Sequence, residues 1–301
     1  ILSGYGGSSG AGRLGASALG ALGQSAPAAR HVLVIDCGSS GTRLNVVRVS
    51  RDAATGGDTY RAVNWQDFGV PFPGFTPKKH GYNRLETFPG IHSTAGKPLA
   101  EVRKALDPLL EWAEAALLPS SAESEEEVGA IPILLFATAG VRKLGEADQR
   151  LLMDHIGHVL SSSKFEHQPG WAKIITGADE GVFSWISANY ELGNFASSAA
   201  GAAAAGETTL FAGDDNVNLL GAEGRPAVAG AGASPMSMVE LGGSSLQVSH
   251  VLDEAEAGAE ARPVRVFGQT HQLQVQSFNG YGMNDAFNST LYHLLAGRAG
   301  E

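Results

Sequence analysis

The chain has 301 residues, room for about two domains at roughly 150 residues each. Apolar residues make up 43%, enough for a real core, while 21 Lys and Arg stand against 31 Asp and Glu, a net charge of −10. That balance argues against a protein that holds nucleic acid by neutralising phosphates. A single cysteine, Cys37, rules out a disulfide scaffold, and no run of about 18 apolar residues is present to span a membrane. The chain begins at Ile1 rather than Met, so it reads as a fragment, with any signal or anchor outside it.

Two-thirds of residues 1–30 are Gly, Ala and Ser, with few bulky apolar side chains. They bury too little apolar surface to offset their ordering entropy, which predicts a disordered segment. HVLVID (31–36) is a short apolar run rich in β-branched residues, the pattern of a buried strand. Gly38 and Gly41 mark a turn, and RLNVVRV (43–49) returns as a second strand. Residues 50–66 form a connection with room for a third strand, and the aromatic, Pro and Gly content of 67–93 predicts an ordered loop. In 98–118, Leu99, Val102, Leu106, Leu109 and Leu110 fall on one helical face. The acidic run Glu123–Glu127 predicts a solvated loop.

IPILLFAT (131–138) is a further buried strand, and AGVRKL turns into a helix, followed by an amphipathic helix over 147–160. WAKIITG (171–177) reads as a strand and 178–195 as a helix, in which Val182, Trp185, Ile186 and Tyr190 have the spacing of a core face. Residues 196–235 are an Ala/Gly-rich, low-complexity insertion. SMVELGG (237–243) and SLQVSHV (245–251) are strands around a second glycine turn; 262–276 continues as β and 285–297 as helix. The mixture of hairpins and strand–helix units predicts an α/β fold.

The two glycine turns share a layout. Asp36-Cys37-Gly38-Ser39-Ser40-Gly41-Thr42-Arg43 and Glu240-Leu241-Gly242-Gly243-Ser244-Ser245-Leu246-Gln247 each place a carboxylate at a strand end, then Gly, then small hydroxyl residues, then a returning strand. Such a turn can aim successive N–H groups into one concavity that holds anionic oxygens. A carboxylate there would repel phosphate unless a divalent cation, held through water, lies between them. Two such loops facing each other would grip a polyphosphate from both sides. Neither a Walker G-x-x-x-x-G-K-[ST] string nor a G-x-G-x-x-G dinucleotide loop is present in these turns.

With these loops in place, the sequence resembles the apyrase family, the nucleoside-triphosphate diphosphohydrolases. DCGSSGTR (36–43), ATAGVRKL (137–144), GADEGVFSWISANYELGNF (177–195) and ELGGSSLQ (240–247) are similar to four ordered family stretches, and SFNGYGMNDA (277–286) to a segment after them. The resemblance implies a two-lobed, actin-like or ribonuclease-H-like ATPase fold. Its first lobe would be 31–177 and its incomplete second lobe 178–301. It implies hydrolysis of nucleoside tri- or diphosphates with Ca²⁺ or Mg²⁺. Carried over by position, Glu180 would be the general base, with Ser245 and Gln247 holding the attacking water. Asp36 and Glu240 would anchor the hydrated cation. Ser39, Ser40, Gly41 and Thr42, with Gly242, Gly243, Ser244 and Ser245, would bind phosphate oxygens, and Thr138 and Ala139 would line the site near the terminal phosphate.

A carboxylate base with water is the simplest nucleophile system here, because no His stands in the four stretches and Cys37 is their only Cys. Arg43 and Arg142 are expected to support the loops, and Asp179 to face solvent, about 100° from Glu180 on a helix. His155 and His158, three apart, read as surface residues, and Trp185 and Tyr190 as core. Glu240 stands where the family usually has Asp, Ser244 where Ala is common, and Gln276 where His is frequent. The sequon Asn288-Ser289-Thr290 points to the secretory lumen, such as the Golgi, or the exterior, with a membrane anchor, if any, outside this chain. Two other readings stay open: an exopolyphosphatase-like phosphohydrolase, and an actin-like module that binds nucleotide without hydrolysis.

Overall fold

The computed structural model describes residues 30–51, 58–72, 85–117, 131–195, 234–253, 258, 260–266 and 269–298. The Gly/Ala/Ser segment 1–29, the acidic run 123–127 and residues 196–233 of the insertion lie outside the described residues.

Two sheets organise the fold. The first contains β1 (Arg30–Cys37), β2 (Thr42–Arg51), β3 (Asp58–Val63), β4 (Leu85–Thr87), β5 (Ile133–Ala137) and β6 (Ala172–Ile174). Its order is β3-β2-β1-β5-β6, with β4 also paired to β2. β1, β2 and β3 are antiparallel neighbours, whereas β5 runs parallel to β1 and β6 parallel to β5. Parallel neighbours need crossovers. These are supplied by α1 (Leu99–Leu117) before β5, and by α2 (Ala139–Arg142) and α3 (Glu146–Ser161) before β6.

The central strands are buried on both faces, which is why they read as continuous apolar runs rather than alternating ones. Leu33, Ile35, Cys37, Ile133, Leu135 and Ala137 share one core with α1 and α3. On α1, Val102, Leu106, Leu109 and Leu110 face that core and Leu99 lies at its margin. On the opposite face, Val32, Val34, Leu134 and Phe136 pack with Val182, Trp185 and Leu273. Cys37 is a free, fully buried thiol; burial, reinforced by Asp36, pushes its pKa well up, so it behaves as a packing residue.

The second sheet is wholly antiparallel, in the order β7 (Met238–Leu241), β8 (Ser245–Leu252), β10 (Gln269–Asn279), β9 (Arg262–Val266). Helix α4 (Gly177–Glu191) packs on it, and α5 (Met283–Arg298) follows β10. Trp185 is fully buried and donates its indole N–H to the Met236 carbonyl at 2.8 Å. The Tyr190 hydroxyl accepts from the Tyr60 N–H at 3.0 Å and donates to the Tyr60 carbonyl at 2.8 Å, tying α4 to β3.

The region expected to be a loop, 67–93, also holds β4, and short 3₁₀ turns at Trp65–Phe68 and Ile91–Thr94. The aromatic rings at its start serve the core: Trp65, just before it, and Phe68 meet Trp112 edge-on, at 6.2 and 5.8 Å, while Phe88 is exposed. Three residues, Leu85-Glu86-Thr87, are too few for a periodic signal, so β4 was not readable. His155 is half-buried and His158 exposed on α3, and among the described residues no three His, Cys, Asp or Glu side chains cluster to hold a metal.

Candidate active site

The parallel pairing of β1 with β5 brings Cys37 opposite Ala137, so the first glycine loop and Thr138 leave the sheet side by side. The Thr138 N–H donates to the Cys37 carbonyl at 3.2 Å. The carboxyl ends of parallel strands are where open α/β sheets bind ligands. Glycines let this loop sit tight against its neighbours. A Cβ at Gly90 would lie 2.6 Å from the Gly38 carbonyl oxygen. One at Gly140 would lie 3.0 Å from Ser39 Cα and 2.8 Å from His92 Nδ1. Burial holds the His92 imidazole below its ordinary pKa, with Lys143 adding to the effect.

Asp36 is buried and faces Arg43 across the ladder, with Nη1 to Oδ2 at 3.0 Å. Arg43 also reaches Glu86 at 2.8 Å and the Ser40 hydroxyl at 3.0 Å. Arg43 thus braces the loop from below, as its place in the sequence led us to expect. Ser39 and Ser40 are half-buried, while Gly41 and Thr42 are buried beneath them.

The second loop closes with the Gly242 N–H donating to the Ser245 carbonyl at 3.0 Å. The start of α5 braces it. Met283 and Asn284 N–H groups donate to the Gly242 and Gly243 carbonyls, each at 2.9 Å, and the Gly280 N–H to the Ser244 carbonyl at 2.9 Å. Gly243 faces the first loop: a Cβ there would overlap the Ser39 hydroxyl and lie 2.9 Å from Asn284 Nδ2. The two glycine loops, distant in the chain, meet at Ser39 and Gly243.

Helix α4 begins beside them. Thr176 caps it through a reciprocal box with Asp179, the hydroxyl accepting from the Asp179 N–H at 3.0 Å. Asp179 is not the solvent-facing residue expected: its side chain is part-buried and pairs with Arg262 of β9 at 2.6 Å. Burial pushes its carboxyl up, but Arg262 and Thr176 pull it further down, so its pKa stays below the ordinary value.

The box aims the next residue inward, and Glu180 is only 2% exposed. Its Oε2 meets Arg142 Nη2 at 2.6 Å and Gln247 Nε2 at 3.2 Å. Gln247 Nε2 also contacts the Ser245 hydroxyl at 2.8 Å and the Ser277 hydroxyl at 3.1 Å. Glu240 and Ser277 both oppose Gln247 in the β7–β8–β10 ladders, so the three form a row beneath α4. Ser184, one turn after Glu180, donates to Glu240 Oε2. Gly181 permits this close approach, since a Cβ there would lie 2.7 Å from Val275 Cγ1.

Glu180, Ser245, Gln247 and Glu240 thus share one cluster, with Thr138 and Ala139 buried at the end of β5. Arg142 touches the second loop at the Ser245 hydroxyl, 3.5 Å away, and also pairs with Glu180 itself and donates to the Ile175 carbonyl at 3.2 Å. Sequence reasoning missed Ser184, Ser277, His92 and Asn284. Ser184 carried a signal, lying four residues after Glu180 and so on the same helix face. The others arrive through tertiary contacts.

A family model described as GDA1/CD39 (nucleoside phosphatase) matches residues 24–300. The chain belongs to this family. It is 30% identical over 277 residues to a probable apyrase 7 of Arabidopsis thaliana, covering 89% of this chain and 30% of that protein. It is 29% identical over 265 residues to a probable apyrase 3 of Arabidopsis thaliana, covering 88% and 43% respectively. It thus spans less than half the length of these relatives. A solved structure of nucleoside triphosphate hydrolases from Neospora caninum is similar at a TM-score of 0.47 and 19% identity, over 85% of this chain and 45% of that one.

Proposed function

We propose that this chain carries the phosphate site of a nucleoside tri- or diphosphate hydrolase, with Glu180 as general base and Ser245 and Gln247 holding the attacking water. The observation that carries this reading is the buried Glu180–Gln247–Ser245 cluster beside two touching glycine loops. Phosphoryl transfer needs positioning and charge neutralisation more than covalent help. Gln247 Oε1 is buried and accepts no hydrogen bond from the described residues. Such an acceptor costs about 1–3 kcal/mol when unmet, and a water beside Glu180 would meet it. Arg142 offsets the charge of the buried carboxylate and fixes its plane.

Ser39, Ser40, Gly41 and Thr42 would receive phosphate oxygens from one side, and Gly242, Gly243, Ser244 and Ser245 from the other. Thr138 and Ala139 would lie near the terminal phosphate. Substrate entry then has to part Ser39 from Gly243. Asp36 and Glu240 would hold a Ca²⁺ or Mg²⁺ ion through water rather than cage it, because each already has an internal partner and no three His, Cys, Asp or Glu side chains cluster among the described residues. When bound, the cation would neutralise charge on the phosphates.

The order β3-β2-β1-β5-β6 of the first sheet supports the actin-like or ribonuclease-H-like reading. That reading would divide the chain into lobes at 31–177 and 178–301. The sequon on exposed residues of α5 supports a lumenal or extracellular setting. Among the described residues no helix is long and apolar enough to cross a membrane.

The test is phosphate release from ATP, ADP and GDP with Ca²⁺ or Mg²⁺. Glu180→Gln should cut turnover by about 10²–10⁴-fold while nucleotide binding persists. Release from long-chain polyphosphate in preference to nucleotides would instead favour the exopolyphosphatase-like reading. Wild-type binding without release would favour the non-hydrolysing module.

A further inference from the structure

Gln247 is held from two directions. Ser245 lies two residues away on the same strand and contacts Nε2 at 2.8 Å, while Ser277 faces Gln247 directly from β10 and contacts the same nitrogen at 3.1 Å. The amide has two hydrogens, yet three acceptors lie within reach of Nε2, the third being Glu180 Oε2 at 3.2 Å. An amide anchored by Ser245 alone could swing about its χ3 torsion, a broad and soft rotation. An anchor across the ladder stops that swing.

The fold makes room for this second anchor. Gly177, the first residue of α4, sits against Ser277, and a Cβ there would overlap the Ser277 hydroxyl. The absence of a side chain at Gly177 is what lets Ser277 reach Gln247 under the helix start. Ser245 has a further neighbour, Arg142 Nη2 at 3.5 Å, so its oxygen is shared between two donors. Ser277 relieves that sharing by taking part of the amide.

We propose that Ser277 is a positioning residue that acts through Gln247. It locks the amide plane so that Nε2 stays on Glu180 and Oε1 stays turned toward the attacking water. This rests on the hydrolase reading above, in which Gln247 holds that water.

The experiment is a double-mutant cycle on the whole chain. Ser277→Ala should lower kcat about tenfold, the worth of one lost hydrogen bond, with KM unchanged. In a Gln247→Ala background, the same change should add nothing, because the group it positions is gone. Equal losses in both backgrounds, or wild-type kcat in Ser277→Ala, would overturn the proposal. Glu180→Gln runs alongside: if it turns over like wild type, the hydrolase reading fails rather than the contact. An activity-independent readout is the NMR signal pair of the Gln247 side-chain amide. In Ser277→Ala it should move and exchange faster with solvent; an unmoved pair shows that Ser277 does not hold the amide.

Discussion

The β1–β2 and β7–β8 hairpins share a plan, a carboxylate before a glycine turn and a returning strand, but bury opposite kinds of surface. In the first, apolar residues fill both faces of β1, and Asp36 is closed into a network with Arg43, which also holds Glu86 and Ser40. In the second, the face turned toward α4 is polar: Glu240, Ser245, Gln247 and Ser249 are all buried. Val239 and Leu241 of β7 turn outward, 67% and 39% exposed, and only Met238 and Val251 at the hairpin's far end still pack against the core. The first hairpin holds a loop at a fixed height by core packing. The second gives up core packing to place reactive groups, and stays ordered through hydrogen bonds such as Ser249 to the Gly181 carbonyl at 2.8 Å.

The sharpest way to break this contrast is Arg43→Met. It leaves two buried carboxylates, Asp36 and Glu86, without their shared guanidinium, and loss of one partner from a buried ion pair typically costs about 3–5 kcal/mol. Denaturant melts should show that loss, and adding Glu86→Gln should recover part of it. A loss under 1 kcal/mol would mean the network is not what supports the first loop.

Core truncations come next. Ile35→Ala, at a fully buried position, should cost about 2–5 kcal/mol. Val239→Ala, on the outer face of the second hairpin, should stay within about 0.5 kcal/mol. Equal costs would show that the outer face of the second sheet is packed in solution.

This inversion also explains what the sequence could and could not say. HVLVID was legible because a strand buried on both faces has one reading. SLQVSHV was legible as a strand, but alternation does not say which face is inside, and the usual rule of apolar-inward points the wrong way for Ser245, Gln247 and Ser249. Glu180 could be placed at a helix start from its local surroundings. Arg142 could not be paired with it, because that contact joins α2 to α4 across the sheet. Asp179 was rightly turned from Glu180 by helical geometry, yet Arg262 on a later strand meets it, and no local pattern announces such a partner.

A smaller effect is expected where the two loops touch. In Gly243→Ala the new methyl overlaps the Ser39 hydroxyl and crowds Asn284 Nδ2, both side-chain ends that can turn away, so stability should change little. The phosphate-facing donors would shift instead, and misplacements of about 1 Å can cost up to about 100-fold in turnover. Steady-state phosphate release with a parallel thermal melt separates the two effects. A large fall in Tm with normal turnover would mean that the contact at Gly243 is structural alone.

The smallest effect concerns acid. His271 of β10 packs against the rings of Trp185 at 5.4 Å and Phe195 at 5.7 Å, and burial lowers its pKa. A base whose folded pKa is lowered takes up its proton first in the unfolded chain, so the stability it permits is present above about pH 6.5 and lost as pH falls toward its folded value. His31 and His92, in the first half, shift in the same direction. His271→Phe keeps the ring and removes the titration, so its Tm should fall less steeply than wild type between about pH 7.5 and 5.5. An unchanged slope would mean that His271 does not set the acid sensitivity, and His31→Phe and His92→Phe would then be compared in the same way.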